Sequence, residues 1–337
     1  MIYSNKSNTR CNVALGSATE SVAQYLIVLQ VIVSLVFVDH SSSKDIKVFF
    51  QPSKRSVIRS IRIRLNQLLY KNSQYKSHIS SDSFAKLADY HVFGRTGDEP
   101  LIPKLALKSR VMFVNSDKLD QIDFDLFPNL KVIMAGNSDQ NFYHKPKVPK
   151  SLKLLLLQNC AISDAFIKTL PIGLENKRTG RYSSLRYFSQ KVSEPVFYPK
   201  ILVPPMSDTN PTRRRVINDA QRSPELFDIK TQYLHEKSYF NLIKKYQFLL
   251  CLEGNGFENH RIWESLYLGI FPVMLKSDWS VSLNYLNLPI LLVDEIGEIT
   301  KEMLQKFWQT NLGFDPQSKS QLWMGYWQEF ITSHLGN

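Results

Sequence analysis

The stretch YQFLLCLEGNGFENHRIWESLYLGIFPVML, residues 246–275, decides the fold of this chain of 337 residues. Its first part, 246–252, is a short apolar run with the length and composition of a buried parallel strand. The EGNG that follows lets the backbone turn sharply and lets a ligand approach its N–H groups closely. Asn259 is suited to cap a helix over 260–268, and 271–275 predicts the next buried strand. The stretch therefore predicts a βαβ unit.

Ligands of open α/β sheets bind beyond the carboxyl ends of the strands, and EGNG lies at such an end. The dipole of the following helix favours an anion such as a diphosphate there. On that helix we expect Glu258, Arg261, Glu264 and Ser265 to share one polar face, away from the apolar face. The alternative is that the glycines only shape a tight turn and that Arg261 and Glu264 form a solvated pair, because a single G-x-G is a weak signal.

The segment EGNGFENHRIWESLYLGIFPVML resembles the donor-binding segment of GT-B glycosyltransferases, most closely the exostosin-like group. A similar glycine turn, an arginine on the next helix, an acidic residue one turn later and a G-x-x-P-V exit recur in that group. The resemblance covers roughly residues 105–310. It implies an α/β fold of two Rossmann-like domains that face a cleft. It also implies sugar transfer from a nucleotide-sugar donor to a glycan or lipid-linked acceptor, in the synthesis of cell-surface polysaccharide or glycan, without a metal or other cofactor.

The resemblance implies roles for individual residues. Glu253 and Glu264 would hold the sugar and ribose of the donor, although they lie farther apart here than in the commoner pattern, and Arg261 would hold its diphosphate. Asp139 and Glu253 are the candidate catalytic carboxylates, which would deprotonate the acceptor hydroxyl if the reaction inverts. The predicted donor-binding residues are Gly173, Arg213, Glu253, Gly254, Asn255, Gly256, His260, Arg261 and Glu264.

The first domain is expected to present polar residues where its strands end. Strands are predicted at 89–94, 109–114, 130–134 and 152–157. Asp139 follows the third of them and would open onto the interdomain cleft as a base; the alternative is an Asx-type turn. Asp123 and Asp125 have the spacing of a D-x-D metal-binding motif. They lie in a segment with the alternation of a strand, so we interpret the pair as structural and predict no metal site.

Two cationic passages are further candidates. Gly173 precedes Lys177, Arg178 and Arg181, which are expected either to meet a diphosphate or to form a solvated loop. Thr212 is predicted to cap a helix that carries three arginines, Arg213 to Arg215, in its first turn. Because cations at a helix N-terminus oppose the dipole, we expect these arginines to face either neighbouring carboxylates or the donor phosphates.

Composition narrows the class of partner. Lys and Arg outnumber Asp and Glu by 42 to 30, which gives a net charge of +12 and attracts nucleic acids, anionic membranes or anionic small substrates. Neither an RNA-binding signature nor a zinc spacing is present, so we predict no nucleic-acid partner. The widely separated Cys11, Cys160 and Cys251 predict buried thiols in a reducing compartment, without a disulfide framework.

The N-terminal region suggests a membrane. Residues 22–38 are an uncharged run of 17 residues, which is the lower limit for a spanning helix. They are interpreted as a single anchor, a buried helix–strand element or an interfacial segment. A basic amphipathic pattern at 53–71 would lie on an anionic membrane surface or pack on the first sheet. We expect a membrane-associated protein whose catalytic part, by the positive-inside bias, is cytoplasmic.

The predicted organisation has four parts. Residues 1–83 form an N-terminal extension, 84–190 an acceptor domain, 191–317 a nucleotide-sugar donor domain, and 318–337 a final helix that packs back on the core. An alternative function, a non-catalytic module that binds a nucleotide or glycan, is compatible with the same fold.

Overall fold

The computed structural model describes residues 78–92, 106–176, 187–188 and 198–336. Across these ranges the chain is α/β and forms two five-stranded sheets, in which every strand pair is parallel. Both sheets lie in one compact unit of the chain. Two parallel sheets of this size are compatible with the two Rossmann-like domains that the sequence predicts.

The predicted N-terminal elements, the apolar run 22–38 and the basic helix 53–71, lie outside the described residues. The same holds for Lys177, Arg178 and Arg181. Of the helices that the structure describes, none has the length and apolar character needed to cross a membrane.

The first sheet follows the order of the chain. Its strands are β1 (Tyr90–Val92), β2 (Val111–Asn115), β3 (Val132–Gly136), β4 (Leu154–Leu157) and β5 (Ile167–Thr169). Each pairs with the next along the chain. The helical connections between β2 and β3 are short 3₁₀ turns, Ser116–Gln121 and Phe124–Leu126. Both faces of the sheet are buried: Met112 and Ile133 pack in one core, Phe113 and Met134 in another.

The second sheet reverses its strand order. Its strands are β6 (Ile201–Val203), β7 (Phe227–Ile229), β8 (Phe248–Leu250), β9 (Phe271–Leu275) and β10 (Leu291–Val293), in the spatial order β10-β9-β8-β6-β7. Numbered within the sheet, this is the doubly wound order 2-1-3-4-5, and the direction reverses between β6 and β8. Such a switch point is where open α/β sheets bind ligands.

Seven α-helices complete the described part. They are α1 (Ser81–Ala85), α2 (Pro211–Ala220), α3 (Glu236–Ile243), α4 (His260–Tyr267), α5 (Asp278–Ser282), α6 (Lys301–Thr310) and α7 (Met324–Ser333). Helices α2, α3 and α4 follow β6, β7 and β8 in turn. Their N-termini therefore lie at the carboxyl edge of the second sheet.

The central βαβ prediction is confirmed. Helix α4 begins at His260, and the Asn259 side chain caps it by accepting the Arg261 N–H at 3.0 Å. Gly269 ends it with a φ of 71°, a left-handed conformation that favours glycine. β9 spans 271–275 as predicted and pairs in parallel with β8.

Two local predictions are wrong, and one strand was missed. Helix α2 is capped by Asn210, whose Oδ1 accepts the Thr212 N–H at 2.9 Å, and not by Thr212, because Pro211 occupies the first helical position and needs no donor there. Asp123 caps a 3₁₀ turn, where it accepts the Asp125 N–H at 3.2 Å, so the segment is not strand-like. β7 was not predicted: it is a short edge strand whose burial covers only one of its three residues.

The last helix, α7, packs in a core shared by both sheets. Trp327 is 0% exposed, and its ring meets that of Phe84 edge-on, with centroids 5.2 Å apart. The core also contains Met134 of the first sheet and Leu249 of the second. Just beyond α7, the Arg110 guanidinium donates to the Gly336 carbonyl at 2.8 Å, so the end of the chain reaches the start of β2.

We expect Trp327→Ala to lower the free energy of unfolding by about 3–5 kcal/mol, because it removes a fully buried aromatic side chain. Urea unfolding followed by circular dichroism measures the change. Gln328→Ala, one residue along the same helix and exposed, is the control and should change stability by less than ~0.5 kcal/mol. A loss below ~1 kcal/mol in Trp327→Ala would contradict the assignment of this residue to the shared core.

Candidate functional site

A cavity of about 460 Å³ lies at the switch point of the second sheet. One part of its lining follows β6 and β8 and includes four predicted donor-binding residues: Arg213, His260, Arg261 and Glu264. The other part comes from the loop after β7 and from α3. The topology and the cavity therefore independently mark the same place, and the size is that of a small-molecule site.

Arg213 is a buried cation without a carboxylate partner. Its side chain donates from Nε to the Glu253 carbonyl at 2.7 Å and from Nη1 to the Ser207 carbonyl and the Thr209 hydroxyl, both at 2.8 Å. The described residues place no carboxylate within ion-pairing distance of it. Burial, and then the charge of Arg261, lower the pKa of Arg213. An anion in the cavity would relieve both effects.

The other two arginines of the predicted triplet differ from Arg213. Arg214 forms an ion pair with Asp208, and Arg215 is exposed on α2. Neither lines the cavity. The sequence left open whether the triplet faces carboxylates or a ligand, and the structure divides it: Arg214 faces a carboxylate, while Arg213 faces the cavity.

Arg261, Glu264 and Tyr239 lie together in the cavity wall. The Arg261 Nη2 donates to the Pro205 carbonyl at 2.6 Å, and the Tyr239 hydroxyl donates to Glu264 Oε2 at 3.3 Å. Burial and then the negative charge of Glu264 raise the pKa of Tyr239 well above its ordinary value. Glu264 is 6% exposed and Ser265 0%. The alternative in which Arg261 and Glu264 form a solvated pair is therefore wrong for Glu264, since this residue is buried and the hydroxyl of Tyr239, from α3, reaches its carboxylate.

Protein side chains approach the EGNG turn closely. Gly254 and Gly256 do not have a positive φ. A Cβ at Gly256 would lie 2.7 Å from the Asn159 side chain, and one at Gly254 would lie 3.1 Å from the Arg213 guanidinium. The glycines are needed because protein side chains approach the turn closely. Gly254, Asn255 and Gly256 do not line the cavity.

Side chains of the first sheet's loops occupy the N–H groups after the turn. The Phe257 N–H donates to Asn141 Oδ1 at 3.0 Å, and the Glu258 N–H donates to Asn159 Oδ1 at 2.8 Å. The Gly254 N–H donates within the turn to the Gly256 carbonyl at 2.9 Å. The turn is thus a joint between the part of the chain that carries the first sheet and the part that carries the second.

Asp139 and Gly173 also lie at this joint. Asp139 is exposed and accepts a hydrogen bond from the Asn255 side chain at 3.2 Å. The Gly173 carbonyl is 2.8 Å from His260 Nδ1, and a Cβ on Gly173 would lie 2.2 Å from the Ile79 carbonyl oxygen. Neither residue lines the cavity. Gly173 does, however, hold His260, which is a lining residue.

Glu253 lies beside the cavity. Its backbone carbonyl receives the Arg213 guanidinium, while burial raises the pKa of its carboxyl group and a hydrogen bond from Ser277 lowers it. The side chain is half-buried and does not line the cavity. The structure therefore does not bring the two candidate catalytic carboxylates, Asp139 and Glu253, into the cavity with the arginines.

The polar residues at the strand ends of the first sheet bind one another. The Asn137 side chain donates to Asn115 Oδ1 at 2.9 Å, and Asn176 donates to Asn137 Oδ1 at 2.9 Å. The Asn137 backbone N–H donates to Gln158 Oε1 at 2.7 Å. These side chains stabilise the carboxyl edge of the sheet.

Sequence reasoning missed the buried carboxyl group at the joint. Glu258 is 5% exposed, and its Oε1 accepts from the Ile172 N–H at 2.9 Å and from Trp263 Nε1 at 2.6 Å. Its Oε2 has no hydrogen-bond partner. Burial raises the pKa of Glu258 to about 8, so the neutral acid predominates at pH 7. The sequence placed this residue on a polar helix face, which is wrong.

The aromatic lining of the cavity was also missed. Tyr233, Tyr239 and Phe240 lie on the loop after β7 and on α3, a region without a recognisable motif. The sequence offered one indication of this aromatic lining, which is that Tyr233 is an aromatic residue in a polar loop just before a predicted helix.

The described ranges also contain free thiols and side chains of the types that bind metal ions. No group of three or more His, Cys, Asp or Glu residues in the described ranges is arranged to hold a metal ion. Cys160 and Cys251 are buried free thiols, as predicted, and burial raises the pKa of Cys251 to about 12. Cys11 lies outside the described residues.

Comparison with known proteins adds no relative: no protein-family model matches the chain, and no curated protein is significantly similar to it.

Glu258 should make stability depend on pH. Its pKa is about 8 in the folded chain, against 4.5 for an ordinary glutamate, so the folded state binds more protons than the unfolded state between these values. The free energy of unfolding should therefore fall as the pH rises from 4.5 through 8. Because one pKa unit is worth about 1.4 kcal/mol, Glu258→Gln should gain more than ~1 kcal/mol over the parent on going from pH 5 to pH 9.

Urea unfolding at the two pH values measures this difference. Glu225→Gln, which removes an exposed carboxylate, is the control and should follow the parent at both. Parallel pH dependence of the parent and Glu258→Gln would show that Glu258 is charged in the folded protein.

Proposed function

We propose that this protein is a GT-B glycosyltransferase that transfers a sugar from a nucleotide-sugar donor to a glycan or lipid-linked acceptor in the synthesis of cell-surface polysaccharide or glycan. One observation carries the proposal: two guanidiniums, Arg213 and Arg261, line the cavity at the switch point, and Arg213 is buried there without a carboxylate. A nucleoside diphosphate supplies the missing negative charge.

The same geometry suits the departure of a diphosphate. In the proposed reaction the acceptor oxygen bonds to the anomeric carbon while the bond from that carbon to the diphosphate oxygen breaks. Negative charge then grows on the leaving diphosphate, between Arg261, Arg213 and the N-terminus of α4. Preorganised cations at such a position lower the barrier because they need no reorganisation during the reaction.

The acceptor hydroxyl also has to lose its proton. Glu253 is the better of the two candidate bases, because burial raises the pKa of its carboxyl group towards the range in which a general base operates. Its backbone carbonyl is bound by Arg213, so the residue adjoins the diphosphate site. Asp139, by contrast, is exposed and bound by Asn255.

Two further parts of the proposal come from the sequence. The apolar run 22–38 and the basic segment 53–71 support association with an anionic membrane surface, with the catalytic part in the cytoplasm. The net charge of +12 suits both such a surface and an anionic donor.

A non-catalytic module that binds a nucleotide or glycan is the alternative. The position of Asp139 and Glu253 outside the cavity lining favours it. Both candidates share the anion site and differ only in turnover, so binding and turnover have to be measured separately.

We expect Arg261→Ala to weaken the binding of UDP and GDP about tenfold or more, since hydrogen bonds to a charged group are worth ~1.5–3 kcal/mol. Isothermal titration calorimetry measures the affinities. Arg215→Ala removes an exposed arginine of α2 outside the cavity and should bind like the parent. If the parent binds neither nucleotide, or if both variants bind equally well, the diphosphate site is not where we place it.

Turnover separates the enzyme from the binding module. Release of UDP or GDP from nucleotide sugars should be detectable with the parent and should fall in Glu253→Gln, while the affinity for free nucleotide stays within about threefold. Nucleotide binding without any release from UDP- or GDP-sugars would favour the non-catalytic module.

A further inference from the structure

The cavity has two chemically different walls. The cationic wall consists of Arg213 and Arg261 with the polar residues Ser207 and Asn259 and the Glu264 carboxylate, to which the Tyr239 hydroxyl donates; the aromatic wall consists of Tyr233, Leu234, Tyr239 and Phe240. The two meet at Tyr239, whose hydroxyl group donates to Glu264 Oε2 at 3.3 Å. A ligand that fills the cavity therefore has to be charged at one end and apolar at the other.

Tyr233 is the exceptional member of the aromatic wall. Its side chain is 75% exposed, the highest value among the large exposed hydrophobic residues of the described chain. Tyr239 is hydrogen-bonded and Phe240 packs against three other rings, whereas Tyr233 makes no hydrogen bond or ring contact in the described structure. An aromatic face left open at the edge of a cavity is the surface on which a planar group stacks.

We propose that Tyr233 is the stacking surface for the base of a nucleotide whose phosphates bind Arg213 and Arg261. This inference rests on the proposed function and deepens it, because it assigns the base subsite and identifies the ligand as a nucleotide instead of a bare phosphate compound. Stacking on a tyrosine ring tolerates any base, so the choice of base depends on other groups.

Charge fixes the direction in which the ligand lies. Glu236 also lines the cavity, at the start of α3 and next to the residues of the aromatic wall. Arg213 and Arg261 attract the phosphates to the cationic wall. The base is then left to the wall that holds Tyr233, Leu234 and Phe240, which offers apolar surface and stacking.

Two changes at one position test the proposal, with UDP, GDP and pyrophosphate as probes in calorimetric titrations. Tyr233→Ala should weaken UDP and GDP at least about fivefold, the lower end for loss of one base–aromatic stack, and should leave pyrophosphate unchanged. Tyr233→Phe keeps the ring and should bind all three probes like the parent. Because Tyr233 is exposed, neither variant should alter the thermal midpoint.

Tyr143→Ala is the matched control, since Tyr143 is another exposed tyrosine, 63% accessible, and lies outside the cavity. It should bind all three probes like the parent. Equal weakening of pyrophosphate and nucleotides by Tyr233→Ala, or no weakening of either, would overturn the base subsite.

The outcome for the base subsite is distinguishable from that for the proposed function. If pyrophosphate, UDP and GDP all bind the parent and all weaken in Arg261→Ala, the anion site holds even where Tyr233→Ala has no effect. If none of the three binds the parent, the anion site and the base subsite fail together.

Discussion

The buried guanidinium of Arg213 holds together the loops on which the cavity depends. It lies on α2, donates within its own loop to the Ser207 carbonyl, and donates across the switch point to the carbonyl of Glu253 at the end of β8. A charged group desolvated in this way is costly unless its donors are all satisfied. Three backbone carbonyls and the Thr209 hydroxyl accept from the guanidinium here without cancelling its charge, so the group both fixes two loops and leaves a positive potential beside the cavity.

The joint between the two sheets uses amide side chains where a ligand was expected. Asn141 and Asn159 take the backbone N–H groups that follow the EGNG turn, and Gly256 is a glycine because Asn159 needs the space. The same chemistry, a backbone N–H exposed by glycine, would bind a phosphate in another protein. What decides between the two is whether another part of the chain reaches the turn, which spacing within the turn cannot reveal.

A feature could be predicted from the sequence where its signal is local, and could not where it depends on contacts between distant segments. The βαβ unit at 246–275 was predictable because its periodicity, its Asn259 cap and its Gly269 terminator are local. The reversal of strand order between β6 and β8 was not, because it depends on pairing between distant segments. β7 escaped detection for a local reason: three residues including Asp228 carry too little apolar pattern to mark an edge strand.

Site residues divide in the same way. Arg213, His260, Arg261 and Glu264, four of the predicted donor-binding residues, line one cavity, since all four lie on helices that start at the carboxyl edge of the sheet. The joint instead contains Asp139, Asn255, Gly256 and Gly173. Their positions depend on contacts with loops that are distant in the sequence, 116 residues apart for Asp139 and Asn255 and 87 residues apart for Gly173 and His260. Tyr233 and Glu258 were missed because exposure and burial, which give them their chemistry, are properties of the folded chain.

The cavity and the joint both involve the start of α4, so the contacts at the joint also fix residues of the cavity. His260 lines the cavity and is held through Nδ1 by the Gly173 carbonyl. One turn before the arginine, Glu258 is bound by the Ile172 N–H. The residues that precede and begin α4 are therefore fixed by the loop after β5, and the arginine that lines the cavity inherits its position from that loop. A ligand that pulls on the start of α4 acts on both sheets at once, because the helix cannot shift without breaking these bonds. The rigidity that preorganises a cationic site thus comes from the first sheet, although the side chains that form the site come from the second.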